Sequence, residues 1–514
     1  MKSPIVTFNT PPDLTPEDTL YAVEQSFGLV EAHRETTSRR YYDTFDWLLY
    51  KSNRALVLYD DQLRLLGLED EQTHAQCALT TVPAFAWDLP ENSLREQIAP
   101  VTEVRALLEQ AVIHVQETTY RVLNKNEKTV VWLTYQEISG KSEEKTIRRW
   151  KLKPLRGYKK PYKALQRVFE VLDCTTDLPT DFATAVDLCG VFPGFYSAKS
   201  PFLLHPTMHA AQATKSILRS LLNVIRINAP YIEKDIDTEF LHDFRVAVRR
   251  TRSALGQVNG VFPDEVAEAF KQRFAEIQKE TNVLRDLDVY LLEQAKSAEI
   301  LPPLLRPFIV PLFNRLKKNR NASLVEVSEM LRSQRFANLL ESWEIFLEEI
   351  TPPDPTAPNA RRPIEVVAQE SIYERYQRLL VRAEDVLPSG DPRRLHTLRI
   401  DCKKLRYLLE FFEVLFPPED IKEAISHLKK LQTRLGTIND LHVQEQYLLS
   451  LADTITGRSK NQRQTLLAIG GLIATLHVQL EEEKQKLPNA FTLLSSKEAR
   501  KLYANMFAPK EVAP

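Results

Sequence analysis

The chain has 514 residues, with 68 Lys and Arg, 69 Asp and Glu, and a formal net charge of −1. This length is enough for two or more domains with cores of their own. The balanced charge excludes a uniformly basic nucleic-acid-binding protein. The sequence has only 13 glycines, and so few in this length indicate a helix-rich protein.

Cysteine usage and apolar segments exclude several other classes of protein. The four cysteines, Cys77, Cys174, Cys189 and Cys402, lack CxxC spacing, so we expect no disulfide scaffold, no metal and no other cofactor. The N-terminal residues lack the apolar segment of a secretory signal. The longest weakly polar run, residues 465–476, is too short and too interrupted by glycine to span a bilayer. We therefore expect a soluble cytoplasmic protein that does not bind membranes.

The two ends of the chain differ in their periodicity, which predicts an α+β fold. Short runs typical of β-strands occur at 54–66, 128–138 and 146–158, with one or two helices between them. Beyond a segment rich in Pro, Ser and Gly at 192–201, almost every segment has helical periodicity. We predict an antiparallel β domain followed by an all-α domain of two pseudo-symmetric bundles. The predicted bounds are 1–195 for the first domain and 201–510 for the second, with halves at about 201–350 and 364–510 and a linker at 351–363.

One basic pattern occurs twice in the helical region. Residues 241–252 read LHDFRVAVRRTR and residues 395–406 read LHTLRIDCKKLR. A helix turns about 100° per residue, so the histidine and the cations at +3, +7 and +10 share one face, with the +8 cation at its edge. We call these faces the basic stripes: His242, Arg245, Arg249, Arg250 and Arg252 in the first copy, and His396, Arg399, Lys403, Lys404 and Arg406 in the second. Apolar residues occupy the opposite faces, namely Phe244, Val248 and Leu255, and Leu398, Cys402, Leu405 and Leu409.

The repeat extends beyond the stripes at one constant offset, since the histidines lie 154 positions apart (396 − 242). The same offset relates Phe262 to Phe416, Gln278 to Gln432, and Asp286 to Asp440. Each half is predicted to hold a first helix, the stripe helix, a third helix that ends at 285–288 or 439–442, and a fourth helix at 312–349 or 462–486. The sequence therefore predicts a duplicated antiparallel helical bundle.

Concentrated like charge on a helical face is unfavourable unless it meets an anion. An isolated stripe would most simply be a solvated face that pairs with neighbouring acids, but recurrence at the same phase favours an anion site. Arginine binds phosphate oxygens in a bidentate manner, and lysine supplies a compact charge. Further cations on the preceding helices are expected to extend the site: Lys215, Arg219 and Arg226, and Arg375, Arg378 and Arg382. Asp286 and Asp440 could hold a metal or orient arginines, and two isolated carboxylates favour the second role.

The duplicated LHxxR helix, with RDLD (285–288) or NDLH (439–442) downstream, resembles the CHAD domain family over residues 201–510. The resemblance implies binding of inorganic polyphosphate in a basic groove between two helical bundles, and targeting to polyphosphate granules. Residue by residue, it assigns the binding group to the ten members of the two basic stripes. It assigns no catalytic residue, so the resemblance implies a binding protein and not an enzyme.

The N-terminal region is similar to the CYTH, or triphosphate-tunnel, family through RRYYDTFDWLLYKSNRALVL (39–58) and KLKPLRGYKKPYKAL (151–165). The metal-binding ExExK strand of that family is replaced by SPIVTFNTPPDL (3–14), and its LRxR run by LVLY (56–59). We therefore predict a degenerate tunnel-like domain without catalysis, because metal-binding carboxylates and inward arginines are both missing. A basic segment there is expected either to touch the anion or to form an exposed loop: Arg148, Lys151, Lys153, Arg156, Lys159 and Lys160.

Two other functions remain open on the sequence alone. One is a metal-dependent triphosphatase or polyphosphatase that uses the N-terminal domain. The other is nucleic-acid binding, although single-strand binding needs interleaved aromatic residues. Tyr407 directly follows the second stripe, and Phe240, just before the first copy, and Phe244 within it lie on its apolar side. The expected partner is inorganic polyphosphate or a similar polyanion, with no specific nucleic acid.

Overall fold

The structure is a computed structural model that describes residues 5–140, 145–198, 202–349, 354–457 and 459–509. It divides into two compact units, Met1–Ser197 and Ala198–Pro514. The first unit is built on an antiparallel sheet and the second is helical. The predicted α+β class is therefore confirmed. The first three residues of the predicted linker, 351–353, lie outside the described residues.

Within the described residues, the first unit has one eight-stranded sheet in the order β1-β8-β7-β6-β2-β3-β4-β5, with every neighbouring pair antiparallel. The strands are β1 (Val6–Asn9), β2 (Gly28–Asp43), β3 (Arg54–Tyr59), β4 (Gln62–Gly67), β5 (Thr73–Ala78), β6 (Leu108–Leu123), β7 (Thr129–Ser139) and β8 (Thr146–Pro154). The helices are α1 (Pro16–Glu24), α2 (Leu48–Lys51), α3 (Ser93–Thr102), α4 (Lys159–Val171) and α5 (Asp181–Leu188). Side chains alternate between the sheet faces, so one core forms with Phe169 of α4 and another with Phe182 of α5.

The face that α5 covers also carries a buried ionic cluster. Asp181, the first residue of α5, accepts hydrogen bonds from Arg39 at 2.6 Å and from Arg149 at 2.9 Å. Lys151 lies near the same charges, and its burial lowers its pKa. The prediction that inward arginines are missing is therefore wrong. Of the two alternatives for the basic segment, the exposed loop does not hold for Arg148, Lys151 and Lys153, because they belong to strand β8.

The second unit contains thirteen α-helices in its described residues. They are α6 (Ala210–Glu233), α7 (Thr238–Leu255), α8 (Asp264–Glu280), α9 (Asn282–Leu292), α10 (Gln294–Glu299), α11 (Val310–Arg332), α12 (Gln334–Glu348), α13 (Ile364–Val386), α14 (Pro392–Phe412), α15 (Pro418–Asp453), α16 (Lys460–Gln485), α17 (Leu487–Ser495) and α18 (Lys497–Phe507). Helices α6 and α7 correspond to α13 and α14, the pair α8 and α9 to α15, and α11 to α16. The predicted duplication is visible in this order.

Two predicted helices of the first half are broken in the structure. The third helix is interrupted at Thr281, whereas its counterpart α15 runs without a break. The expected helix at 312–349 is split at Ser333, whose extended backbone ends α11. The Ser333 hydroxyl accepts a hydrogen bond from the amide of Phe336 at 3.2 Å and so starts α12.

A shared apolar core joins the two halves of the helical unit. It combines residues of the first half, such as Leu287 and Leu316, with residues of the second, such as Leu448 and Leu472. The rings of Tyr290 and Tyr447 stack across it, with centroids 4.6 Å apart. This core fixes the relative position of the two stripe helices. Among the residues that are described, none of the helices has the length and apolar character needed to cross a membrane.

Candidate anion-binding site

Local sequence signals fix both stripe helices. The carboxylate of Asp237 accepts hydrogen bonds from the amides of Glu239 and Phe240 and begins α7. Asp391 caps α14 in the same way, and Pro392 occupies its first position. The apolar faces predicted for both helices are buried, so the opposite, basic faces point away from the core of each bundle.

The two basic stripes meet at Lys403 of α14. Burial lowers the pKa of Lys403 from 10.5 to about 8, and repulsion from Arg399 of its own helix and Arg249 of α7 adds to this shift. Neither Arg249 nor Lys403 makes a hydrogen bond or an ion pair with any residue that the structure describes. Asp440 is the acid that favours the charged form of Lys403. Three cations from two helices therefore lie in one region, and one carboxylate offsets part of their positive charge.

The arginines at the +3 positions donate hydrogen bonds to the third helix of each half. Arg245 donates to the carbonyl of Gln278 at 3.0 Å, to the hydroxyl of Thr281 at 2.6 Å and to the amide oxygen of Asn282 at 2.7 Å. Burial, followed by repulsion from Arg249, lowers the pKa of Arg245 to about 10. In the second half, Arg399 donates to Asp440 at 3.4 Å.

The arginines at the +10 positions both contact a repeated glutamine. Arg252 donates to Gln278 Oε1 at 2.7 Å. Arg406 donates to Gln432 Oε1 at 3.4 Å and, at the shorter distance of 2.6 Å, to Glu410 Oε1 of its own helix. The sequence shows these glutamines as landmarks at the 154-residue offset but gives them no role. Their constant spacing from the stripes is the signal that could have identified them.

Several donors of the stripes are buried without a partner. The Nε atoms of Arg245, Arg249, Arg252 and Arg399 have no hydrogen-bond partner among the described residues. Leaving a buried donor unsatisfied costs about 1–3 kcal/mol. Both halves contribute such donors, so the site combines excess positive charge with unused hydrogen-bonding capacity.

The histidines lie at the N-terminal ends of the stripes. His396 Nδ1 contacts Asn439 Oδ1 at 2.5 Å, and His242 is half-buried at the equivalent position of α7. Asn439 is a residue that the sequence analysis missed, because its counterpart at the 154-residue offset is Arg285 and not another asparagine.

The +8 cations differ between the two halves. The side chain of Arg250 packs against aromatic residues and an acid instead of lying with the other cations of its stripe. Its guanidinium lies 5.3 Å from the ring centre of Phe202 and 5.2 Å from that of Phe411, and 4.0 Å from a carboxylate oxygen of Glu410. Only 6% of Arg250 is exposed. Aromatic rings and an acid therefore enclose its charge, which leaves it little exposed for the anion contact that the sequence predicted.

Lys404 faces the preceding helix α13 and not α7. Burial lowers its pKa, and repulsion from Arg375 adds to the shift. Buried Asp401 lies beside this group, pairing with Arg382 and lying 3.8 Å from Arg375. These cations share an acid, so they form a separate cluster at the edge of the α14 stripe.

The cations of α6 that the sequence predicted to extend the site have partners on α12 or directly after it. Lys215 donates to the carbonyl of Glu349 at 2.7 Å and Arg219 donates to the carbonyl of Leu347, since the last carbonyls of a helix attract cations. Arg226 instead pairs with the carboxylate of Glu344. On α13, Arg378 pairs with Glu374 of its own helix. Because these four residues have protein partners, we leave them out of the proposed contact group.

The described residues contain no group of three or more His, Cys, Asp or Glu side chains that could hold a metal ion. Fold and site together define a duplicated helical protein in which two equivalent helices bring uncompensated cations together. Residues 216–449 match the family model of the CHAD domain. This match confirms the resemblance to the CHAD domain family that the sequence predicted.

Three of the solved structures that are similar to parts of the chain have low sequence identities and low TM-scores. The CHAD domain from the plant Ricinus communis has 23% identity and a TM-score of 0.46, covering 61% of this chain and 96% of its own. PptA from Streptomyces chartreusis has 14% identity and a TM-score of 0.44, covering 55% and 100%. The putative adenylyl cyclase HpAC1 from Hippeastrum, described as having a dominant triphosphatase activity, has 13% identity and a TM-score of 0.26, covering 38% and 99%. No curated protein matches the chain.

Proposed function

We propose that the helical unit binds inorganic polyphosphate between α7 and α14 and performs no chemistry on it. The convergence of Arg249, Arg399 and Lys403 from two helices supports this proposal most strongly, because burial and, after it, repulsion from the two arginines lower the pKa of Lys403. A polyphosphate chain carries negative charge on every unit and offers acceptors to unpaired guanidinium donors. Its binding would relieve both the repulsion and the unsatisfied donors.

The proposed contact group is smaller than the sequence suggested. Arg249, Arg399 and Lys403 form its centre, and their positions between the two bundles mean that one chain can touch both halves. Arg245, Arg252 and Arg406 border it and are oriented by the third helices. His242 and His396 lie at the N-terminal ends of the stripes. Lys404 lies at the edge of the α14 stripe, in the cluster that contains Arg375 and Asp401.

The absence of stacking side chains favours polyphosphate over nucleic acid. Single-stranded nucleic acids bind through aromatic platforms, and Tyr407, the solvent-accessible aromatic beside the stripes, stacks on Phe411 with centroids 6.3 Å apart. The test is binding of labelled long-chain polyphosphate to the full chain in the presence of excess DNA or RNA at matched phosphate concentration. We expect the polyphosphate to stay bound, and efficient displacement would instead support nucleic-acid binding.

The first unit gives the triphosphatase alternative no specific support. Its inward arginines, Arg39 and Arg149, are occupied by Asp181 of the same chain. We therefore assign polyphosphate binding to the helical unit alone. Association with polyphosphate granules would follow directly from such binding.

Polyphosphate affinity is expected to depend on pH through Lys403, whose pKa is about 8 without ligand. A bound anion favours the charged lysine and raises this pKa, so binding takes up a proton above pH 8. The wild-type affinity should therefore fall by up to about tenfold per pH unit as the pH rises beyond 8. Titration calorimetry between pH 7 and about 9.5 measures this change.

The matched control is Lys403→Arg, because a guanidinium keeps its proton throughout this range. We expect the arginine variant to lose most of the pH dependence while retaining binding. An identical pH profile for wild type and variant would remove Lys403 from the contact group.

A further inference from the structure

A largely apolar cavity of about 250 Å³ lies at the N-terminal end of the α14 stripe. Its floor is formed by buried Leu395, Leu435, Ile438 and Leu480. His396 lines the same cavity and is also the first member of the stripe. Arg399 follows three residues later, or about 4.5 Å along the helix axis. The cavity and the cationic site are therefore contiguous.

Polar groups surround the mouth of this cavity. Asn439, His442, Arg393 and Lys484 line it together with His396. Asn439 and the histidines can hydrogen-bond a planar heterocycle at its edge, while the apolar floor suits a ring face. Inorganic polyphosphate has no apolar part, so phosphate binding alone gives this floor no role.

The corresponding positions of the first half are filled by ion pairs. Arg285, at the position of Asn439, donates to the carbonyl of Thr238 at 3.2 Å and lies 3.5 Å from Glu239. Asp288, at the position of His442, is buried and accepts a hydrogen bond from Arg320 at 2.8 Å. Both halves thus carry the stripe, but the first half has an ion-pair network at the two positions where the second half has Asn439 and His442 beside an open cavity.

We infer that the cavity holds the base of a nucleoside polyphosphate whose phosphates lie along the α14 stripe. This inference rests on the proposed function, since the stripe must bind phosphate for the base to be placed there. The cavity volume of about 250 Å³ suits a single ring system, and polar side chains in its lining can hydrogen-bond the edge of that ring. The second half would therefore distinguish phosphate chains that carry a base from those that do not.

The test compares adenosine 5′-tetraphosphate with inorganic tetraphosphate, which has the same number of phosphates, on the full chain at fixed ionic strength. We expect the nucleotide to bind about tenfold more tightly, equivalent to about 1.4 kcal/mol. Val443 lies at the mouth and is 46% exposed, so Val443→Trp should cover the cavity without disturbing the fold. The variant should lose the preference for the nucleotide. The matched control is Val325→Trp, because Val325 is an exposed residue of α11. This variant should retain the preference for the nucleotide.

Long-chain polyphosphate is measured in parallel on every variant. If it binds wild type and Val443→Trp equally, while the two tetraphosphates bind wild type with equal affinity, the cavity inference is overturned and the proposed function stands. A nucleotide preference that survives Val443→Trp also overturns the inference. If long-chain polyphosphate does not bind wild type, the proposed function itself has failed.

Discussion

The triple variant Arg249→Gln, Arg399→Gln, Lys403→Gln is expected to bind long-chain polyphosphate at least about 100-fold more weakly than wild type. Each charge-assisted hydrogen bond contributes about 1.5–3 kcal/mol, and losing three of them exceeds the roughly 2.8 kcal/mol that a 100-fold change represents. The slope of log affinity against log salt should also become shallower by about 2–3, because fewer counterions are released. Fluorescence or calorimetric titration over a range of salt concentrations measures both quantities.

The control carries the same change in net charge at other places on the helical unit. Arg332, Arg378 and Lys422 are exposed by 65%, 66% and 71%, and replacing all three with Gln should change affinity by less than about threefold. Arg378 serves here because the sequence analysis placed it in the site and the structure does not. A comparable loss in the two triple variants would mean that the chain binds anions by net charge alone.

Lys403→Met is expected to stabilise the unliganded protein while it weakens binding. The pKa of Lys403 is about 8 when folded and 10.5 in its ordinary state, so between these values the unfolded chain binds more protons. Stability therefore rises with pH across this window, and at pH 7 the charged lysine is a net cost to the folded state. Removing the charge should raise the melting temperature at pH 7 by on the order of 2–4 °C.

The matched control is Lys422→Met, since Lys422 is exposed and near a partner on its own helix. We expect no more than a small change in its melting temperature, measured by calorimetry or circular dichroism. The difference in melting temperature between Lys403→Met and wild type should become smaller as the pH approaches 10.5. A lower melting temperature for Lys403→Met at pH 7 would contradict the argument that burial and repulsion from neighbouring arginines disfavour the charged lysine.

The sequence predicted those features that depend on periodicity and repetition. The buried faces of α7 and α14 follow from apolar residues such as Phe244 and Leu398 at helical spacing, and both are buried as expected. The α+β class and the CHAD resemblance are confirmed on the same basis. Periodicity places a side chain on a face, and this was sufficient to predict that the cations of each helix lie together.

The sequence could not predict which cations the fold neutralises. Arg250 and Lys404 occupy equivalent positions, yet Arg250 is enclosed by Phe202 and Phe411, which come from distant parts of the chain. Arg39 and Arg149 likewise meet Asp181 only through tertiary folding. Such pairings depend on the packing of elements far apart in sequence, and no local pattern records them.

The most direct test of the two-helix site is the affinity of the full chain for polyphosphate of defined length at one ionic strength. A chain that spans both stripes contacts Arg249 of α7 together with Arg399 and Lys403 of α14, whereas tripolyphosphate can satisfy only part of this group. We predict that a long chain, of about 50 phosphates or more, binds at least about 100-fold more tightly per molecule than tripolyphosphate, with the difference largely lost in the triple variant. Equal affinity for the two lengths would contradict a site shared by both halves of the helical unit.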